Sequence, residues 1–419
     1  LPESSNFFVT GKYLLGMVIG AFSLLIPALK LVFLGWILVT DRQSESQRKI
    51  LKLMHAFGRW SMLDVMVVAV LLVTVKLGAI ASVSIHGGLY SFWRRGTVNY
   101  AYYPTRRETC RKTRLVIMTV PLVYHPDYSF PFPARHRFAM EKFARLADYL
   151  RVTGLLTPDN TYRPGPCRQS WLTQTHCPQY LQRFYRNTLS DKEHRQMNLP
   201  WSDGLVKRTF IAPSGTVLTA QLALRHGIAC HLAGGTHHAH YDYASGFCIL
   251  NDLAIAANVL VRQNGGLRVL VFDCDVHQGD GTAALLRREP AAFTCSIHCK
   301  QNFPFTKQQS DWDVELPTGM ADDDYLEAVR TTLLAAIKQT SPDIVLYDAG
   351  VDVFEGDPLG QLRISEAGIR QRDNLVLSEL KRAGIPVATV IGGGYDDDRD
   401  NLARRHAIVV EEAQRVFVA

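Results

Sequence analysis

Past Lys207 the chain alternates short apolar runs with longer amphipathic stretches. Short apolar runs bounded by polar residues or glycine read as buried strands, and longer stretches with a helical repeat read as helices. On that basis Ser214 caps a helix reaching about His226, Gly227 to Gly235 is a strand, and Asn251-Asp252 starts a helix ending near Gln263. The series continues with strand 268–275, helix 280–288, strand 292–298 and a long helix from about Asp322 to Gln339. Strand 343–349, helix 365–383, strand 386–391 and helix 399–416 complete it. Strands alternating with helices in this way predict a parallel sheet covered on both faces. Between Met118 and Pro200 the pattern is less regular. A Pro-rich loop from Asp127 to Arg135 precedes an amphipathic helix from about Phe138 to Val152, and the rest is expected to hold short helices and surface loops.

The first hundred residues follow a different pattern. Tyr13 to Val39 is a largely apolar run interrupted by Pro27 and Lys30, and a second run from Met62 to Ile85 carries Asp64 and Lys76. Both are long enough to cross a bilayer, which takes about 20 apolar residues. Neither has a cleavage-site pattern, and the first is too long for the core of a signal peptide. The intervening segment, Asp41 to Trp60, and the segment Trp93 to Arg114 are both basic. Two spans would put them on opposite sides of a membrane, against the usual bias of positive charge to one side.

Charge sharpens the division. The formal charge is +7, but residues 1–117 hold 15 Lys/Arg against 5 Asp/Glu, which leaves 31 basic and 34 acidic residues for 118–419, a net of −3. The larger part has no electrostatic footprint for nucleic acid. Eight cysteines (110, 167, 177, 230, 248, 274, 295, 299) show no paired CxxC spacing, and thiols of this kind fit a reducing compartment. The chain opens on Leu1 rather than Met, which leaves room for further chain upstream.

The chemistry gathers where strands end. Val269-Leu270-Val271-Phe272 runs into Asp273-Cys274-Asp275-Val276-His277-Gln278-Gly279-Asp280-Gly281. Ligands of open α/β sheets bind at the carboxyl ends of the strands. On an extended backbone Asp275 and His277 leave the same face, and an oxygen and a nitrogen donor with room for a third suit zinc held by three protein groups and a water. A single strand-end Asp more often caps the next helix, but this density of acids with a histidine reads as a metal site. Three further clusters lie at other strand ends: Gly234-Gly235-Thr236-His237-His238-Ala239-His240 with Ser245-Gly246-Phe247-Cys248, Tyr347-Asp348-Ala349-Gly350-Val351-Asp352 with Glu355-Gly356-Asp357, and Ile391-Gly392-Gly393-Gly394-Tyr395. Asp352 is the natural third donor. Glycines before the histidine pair let backbone crowd a ligand, and Tyr395 on its glycine turn is placed to swing a phenol towards a bound substrate.

Together these residues resemble the zinc-dependent histone deacetylase superfamily over essentially all of 118–419, in the family's order. Asp348-Ala349-Gly350-Val351-Asp352-Val353-Phe354-Glu355-Gly356-Asp357, His125-Pro126, Pro133-Ala134-Arg135-His136-Arg137-Phe138 and Met140-Glu141-Lys142 look like class IV and its bacterial relatives. The resemblance implies a three-layer arginase/deacetylase-like α/β fold with one Zn2+ per chain on Asp275, His277 and Asp352. It implies His238 as general base and acid, oriented by Asp280. His237 would pair with Asp273, and Tyr395 would hydrogen-bond the substrate carbonyl. Phe247, Gly246 and Gly393 would line an acyl-lysine channel. Asp273, Asp275, His277, Ser296 and Ile297 match a structural potassium site, and Arg137 matches a residue of an internal acetate cavity. Gln278 departs from the histidine common in classical members, at a position that does not ligate metal. The substrates so implied are acyl-lysine proteins or acylated small amines.

Gly58-Arg59-Trp60-Ser61-Met62-Leu63-Asp64-Val65, the apolar run that follows, Val83-Ser84 and Gly88-Leu89-Tyr90 are similar to the paraquat-inducible protein A family, integral proteins of bacterial inner membranes. That resemblance covers about residues 7–93 and stops where the family would continue into further spans. The expected organisation is a mostly helical, truncated membrane segment over 1–93, a basic linker over 94–117 and a zinc-dependent deacetylase domain over 118–419, with a cytoplasmic catalytic part tethered to the inner membrane. The junction is either a natural fusion or an artefact of gene calling. Competing readings are a binuclear manganese hydrolase of the arginase type, a small-molecule amide or ureohydrolase of the same fold, and a membrane-anchored binding module with an inactive deacetylase fold. The arginase type typically needs Asp-x-His-x-Asp, and Gly279 stands where the last acid would be.

Overall fold

The structure is a computed structural model that describes residues 119–263 and 266–418 of the chain. The two apolar runs, the basic segments beside them and the linker over 94–117 lie outside the described residues. Among the described residues no helix is long and apolar enough to cross a membrane.

Among the described residues eight strands form one sheet: β1 (Leu122–Val123), β2 (Thr161–Tyr162), β3 (Ile228–His231), β4 (Val269–Asp273), β5 (Ala292–Cys299), β6 (Trp312–Leu316), β7 (Ile344–Asp348) and β8 (Val387–Val390). Their order is β2-β1-β3-β8-β7-β4-β5-β6, and every pairing is parallel. The central strands are buried along their whole length. That is why they read as unbroken apolar runs rather than as alternating ones.

The helices are α1 (Lys142–Val152), α2 (Gln169–Thr175), α3 (Pro178–Tyr185), α4 (Asp191–Met197), α5 (Asp203–His226), α6 (Asp252–Gln263), α7 (Asp280–Leu286), α8 (Asp322–Thr340), α9 (Glu366–Ala383) and α10 (Arg399–Val418). α8, α9, α10 and α1 pack in succession, and α5, α6, α7 and α2 form a second group. The irregular stretch before Pro200 holds the three short helices α2 to α4, and α4 opens on a capping box between Ser190 and Glu193.

Two local expectations change. Ser214 does not cap a helix: α5 starts twelve residues earlier at Ser202, whose side chain accepts from the Leu205 N–H, and runs on through Pro213. Proline inside a helix costs about 3 kcal/mol, but residues 211–217 are all buried, and packing carries the helix across the break. The Ser214 hydroxyl instead donates to the Ile211 carbonyl at 2.9 Å and to that of Gly165. β4 ends at Asp273, so Asp275 and His277 sit in a bend beyond it rather than on extended backbone.

Sheet order explains why distant clusters meet. β3, β8, β7 and β4 are consecutive neighbours, so their carboxyl ends open onto one crevice. A fully buried arginine fixes the loop after β7. Arg372, on α9, donates to the Gly350 carbonyl at 2.6 Å and to that of Ala349 at 3.3 Å, and pairs with Asp373 at 3.0 Å. Tyr347 donates to the same Asp373 at 2.6 Å. A buried guanidinium is tolerable only when paired and hydrogen-bonded in this way, and here it locks the backbone leading to Asp352.

Candidate active site and metal centre

Asp275, His277 and Asp352 each offer a donor atom, all within 4.8 Å of one another and all buried. His277 Nδ1 lies 3.1 Å from Asp275 Oδ1 and 3.1 Å from Asp352 Oδ2. Backbone holds the acids from the other side. The Gly393 N–H donates to Asp275 Oδ2 at 2.7 Å, and the Val276 N–H donates to Asp352 Oδ1 at 2.9 Å. Gly393 must be glycine, because a Cβ there would run into the Asp352 and Asp275 carboxylates. Burial alone would lower the His277 pKa, but Asp275 and Asp352 raise it to about 10. Two buried carboxylates converging on one imidazole nitrogen call for a cation, and a set of one nitrogen and two oxygen donors fits a divalent metal with a position left open.

Beside this group stand two histidines with opposite electrostatics. His237 donates from Nδ1 to Asp273 Oδ2 at 2.7 Å, and His238 donates from Nδ1 to Asp280 Oδ1 at 2.6 Å. Their Nε2 atoms face each other at 3.2 Å. Burial disfavours charge on His237, but Asp273 and Asp275 outweigh it and push its pKa well above the usual range. Burial, followed by the neighbouring His237, brings His238 down to about 4 against the pull of Asp280. The pair therefore splits into one imidazolium and one neutral imidazole, whose Nε2 lone pair accepts from the facing His237 Nε2–H. Such a split assigns acid and base roles.

Asp280 serves two rings, because His240 donates to its second oxygen at 2.8 Å. The sequence placed His240 in the motif without a role. Asp348, beside Asp273 across β4 and β7, has neither carboxylate oxygen hydrogen-bonded among the described residues. Burial, then Asp273, pushes its pKa well above the carboxylate range, so it is held as the neutral acid. His237, Asp273 and Asp348 form a second compact donor group, but the His237 Nδ1 proton is committed to Asp273.

Tyr395 is 8% exposed, and its backbone N–H donates to Asp357 Oδ2 at 2.7 Å. Burial, followed by Asp352, raises the phenol pKa well above its usual value and keeps the hydroxyl a donor. The Phe247 ring lies 6.0 Å from that of Tyr395, and its backbone is left-handed at φ 65°. Gly246 packs against the His238 ring. The ring of Phe303, which the sequence did not single out, lies 4.9 Å from that of His238. Asn302 beside it donates to the Leu359 carbonyl at 2.6 Å and lies 3.4 Å from His277 Nε2. All of these border one cavity of about 580 Å³. Arg137 also lines it, but is exposed. Ser296 is the β5 partner of Asp273, with its hydroxyl paired to His298 at 3.0 Å, and Ile297 is fully buried. Gln278 clamps the loop that carries Phe303, donating to the Gln308 carbonyl at 2.7 Å and accepting from the Gln308 N–H at 2.9 Å.

The chain belongs to the histone deacetylase family: the model of the histone deacetylase domain matches residues 136–413. It is a histone deacetylase-like hydrolase. The model of paraquat-inducible protein A matches residues 4–95. An uncharacterized protein of Picosynechococcus is 48% identical over 300 residues, covering 72% of this chain and all of the relative. Histone deacetylase 2 of Arabidopsis thaliana is 26% identical over 76% of this chain and 90% of its own length. The acetoin utilization protein AcuC of Staphylococcus aureus is 29% identical over 56% and 65%. Among solved structures, an HDAC homolog complexed with SAHA superposes with a TM-score of 0.59 at 22% identity, over 71% of this chain and 88% of that one. An HDAC homolog from Aquifex aeolicus gives the same score at 23% identity, over 70% and 84%.

Proposed function

We propose that this protein is a zinc-dependent amidohydrolase that removes acetyl or larger acyl groups from lysine side chains of proteins or from a related small amine. The observation that carries this reading is the placing of His238, its Nδ1 held by Asp280 at 2.6 Å and its ring 5.8 Å from that of His277 in the Asp275–His277–Asp352 group. When bound there, a zinc ion supplies Lewis-acid polarisation of the amide carbonyl and lowers the pKa of the attacking water. His238 Nε2 takes a proton from that water and returns it to the departing amine. Asp280 holds the ring in the required tautomer throughout. The His237 imidazolium adds a fixed positive charge beside the reacting carbonyl. Tyr395 donates its hydroxyl proton to the carbonyl oxygen as negative charge builds on it.

Asp273 and Ser296, opposite one another on β4 and β5, support the reading of a structural potassium ion together with Asp275, His277 and Ile297. The match to paraquat-inducible protein A supports attachment of the catalytic part to a membrane through residues 13–85. In this reading 1–93 is the membrane segment, 94–117 the linker and 118–419 the enzyme.

Two measurements test the chemistry. Tyr395→Phe should lower kcat for an acetyl-lysine peptide by about 10²–10³-fold, the scale for losing one donor to a developing oxyanion. Unchanged turnover removes Tyr395 from the mechanism. The pH profile tests His238. A base works only when neutral, and a His238 pKa lowered to about 4 keeps it neutral at every higher pH. With zinc in excess, kcat/KM should hold as pH falls through the ordinary imidazole range and drop only as it approaches 4. An acid limb centred near 6.5 contradicts the assignment.

A further inference from the structure

Two cations are buried at one end of the active-site cavity. Lys142, at the start of α1, is 3% exposed, and Arg208, in α5, is 5% exposed. Lys142 Nζ lies 5.5 Å from the ring centres of Phe138 and Phe143 and 5.8 Å from that of Tyr395. The Arg208 guanidinium lies 4.5 Å from Phe143 and 5.7 Å from Phe138, so both charges gather on the same two rings. Their hydrogen bonds among the described residues go to neutral carbonyls. Lys142 reaches Gly392 and Gly394 at 3.5 and 3.4 Å, and Arg208 Nε donates to Tyr128 at 3.1 Å. Neither has a carboxylate within salt-bridge distance among the described residues. Burial, followed by Arg208, lowers the Lys142 pKa to about 8, and burial lowers that of Arg208 to about 10. Arg208 stays charged at neutral pH. The acids that act on Lys142 most strongly are Asp352 and Asp275, which a bound metal neutralises.

An uncompensated cation is among the costliest groups to bury, and a pair of like sign costs more still. Such a pair lining a cavity is the signature of an anion site. We propose that the cavity end formed by Lys142 and Arg208 binds a carboxylate, and that the acyl group removed carries one at its far end, as in a short dicarboxylic acyl such as succinyl. This rests on the deacylase reading and names its substrate class. The metal ligands and Tyr395 fix the position of the acyl carbonyl. Lys142, packed against the Tyr395 ring, then lies a short aliphatic spacer beyond it. The amine leaves towards solvent past Phe305, a lining residue of the same cavity that is 93% exposed. A long hydrocarbon chain would leave both cations without a charged partner.

The test uses the zinc-loaded full-length protein and peptides carrying acetyl-lysine, succinyl-lysine or succinamoyl-lysine. The last replaces the distal carboxylate with a carboxamide of the same size. The carboxylate should be preferred over the carboxamide by about 10-fold or more in kcat/KM, as expected for charge-assisted hydrogen bonds. Arg208→Gln should collapse that preference to within about 2-fold, the scale of losing those bonds, and Arg208→Lys should retain part of it. A ratio taken within one preparation is insensitive to partial unfolding or partial metal loading. Equal rates for the two peptides overturn the proposal, as does release of acetyl alone, which leaves the deacylase reading intact. If all three peptides are inert the deacylase reading fails, and calorimetry with free succinate then decides. Binding lost in Arg208→Gln upholds the carboxylate site, and no binding to the unaltered protein overturns it.

Discussion

Asp352→Asn should leave a folded protein that no longer holds its metal and has lost roughly 10³-fold or more of its turnover, the scale of the several kcal/mol a metal contributes to the transition state. Asp352 has two tasks. One oxygen accepts from the Val276 N–H at 2.9 Å, and the other faces His277 Nδ1 at 3.1 Å. An amide oxygen can keep the first task, so the loop after β4 should stay in place, but it brings no charge to the second. The readouts are zinc content by mass spectrometry, unfolding temperature and kcat/KM on an acetyl-lysine peptide. Normal zinc content with normal turnover would remove Asp352 from the ligand set.

His238→Ala should lower kcat by about 10²–10⁴-fold, the range for losing a positioned general acid and base, while zinc content stays at the level of the unaltered protein. The two effects separate because His238 stands beside the metal group rather than in it, with its Nδ1 proton on Asp280. Asp280 is not orphaned by the change, since His240 still donates to its other oxygen at 2.8 Å. Turnover within about 3-fold of the unaltered protein would contradict the role of His238, that being well below the effect of a general base.

Most of the candidate group that the structure brings together was legible in the sequence because each piece is local to one strand end. Asp275 and His277 share one bend, His237 and His238 are adjacent, and Asp352 and Tyr395 each follow a run that could only be a buried strand. Parallel strands end on the same side, so four motifs far apart in the chain already imply one shared crevice. The sheet order that makes β3, β8, β7 and β4 neighbours is not written in any one segment.

What the sequence concealed depends on contacts between distant elements. Lys142 and Arg208 lie on α1 and α5 and meet only across Phe138 and Phe143. Asp348 looks like any strand-end acid until its burial beside Asp273 is known. The two-residue strands β1 and β2 are too short for a periodic signal, and β6 is half-exposed, so its apolar pattern is weak. Pro213-Ser214 carries the local marks of a helix boundary, and tertiary burial overrides them.

The central claim is that one metal on Asp275, His277 and Asp352 activates this chain to hydrolyse an acylated amine. Zinc stoichiometry and acyl release, measured on the same preparation of the full-length protein before and after chelation, test it most directly. The account predicts one zinc per chain, acyl release that disappears with the zinc, and recovery of both on adding it back. Acyl release that survives removal of the zinc, or two metals required per chain, would contradict it.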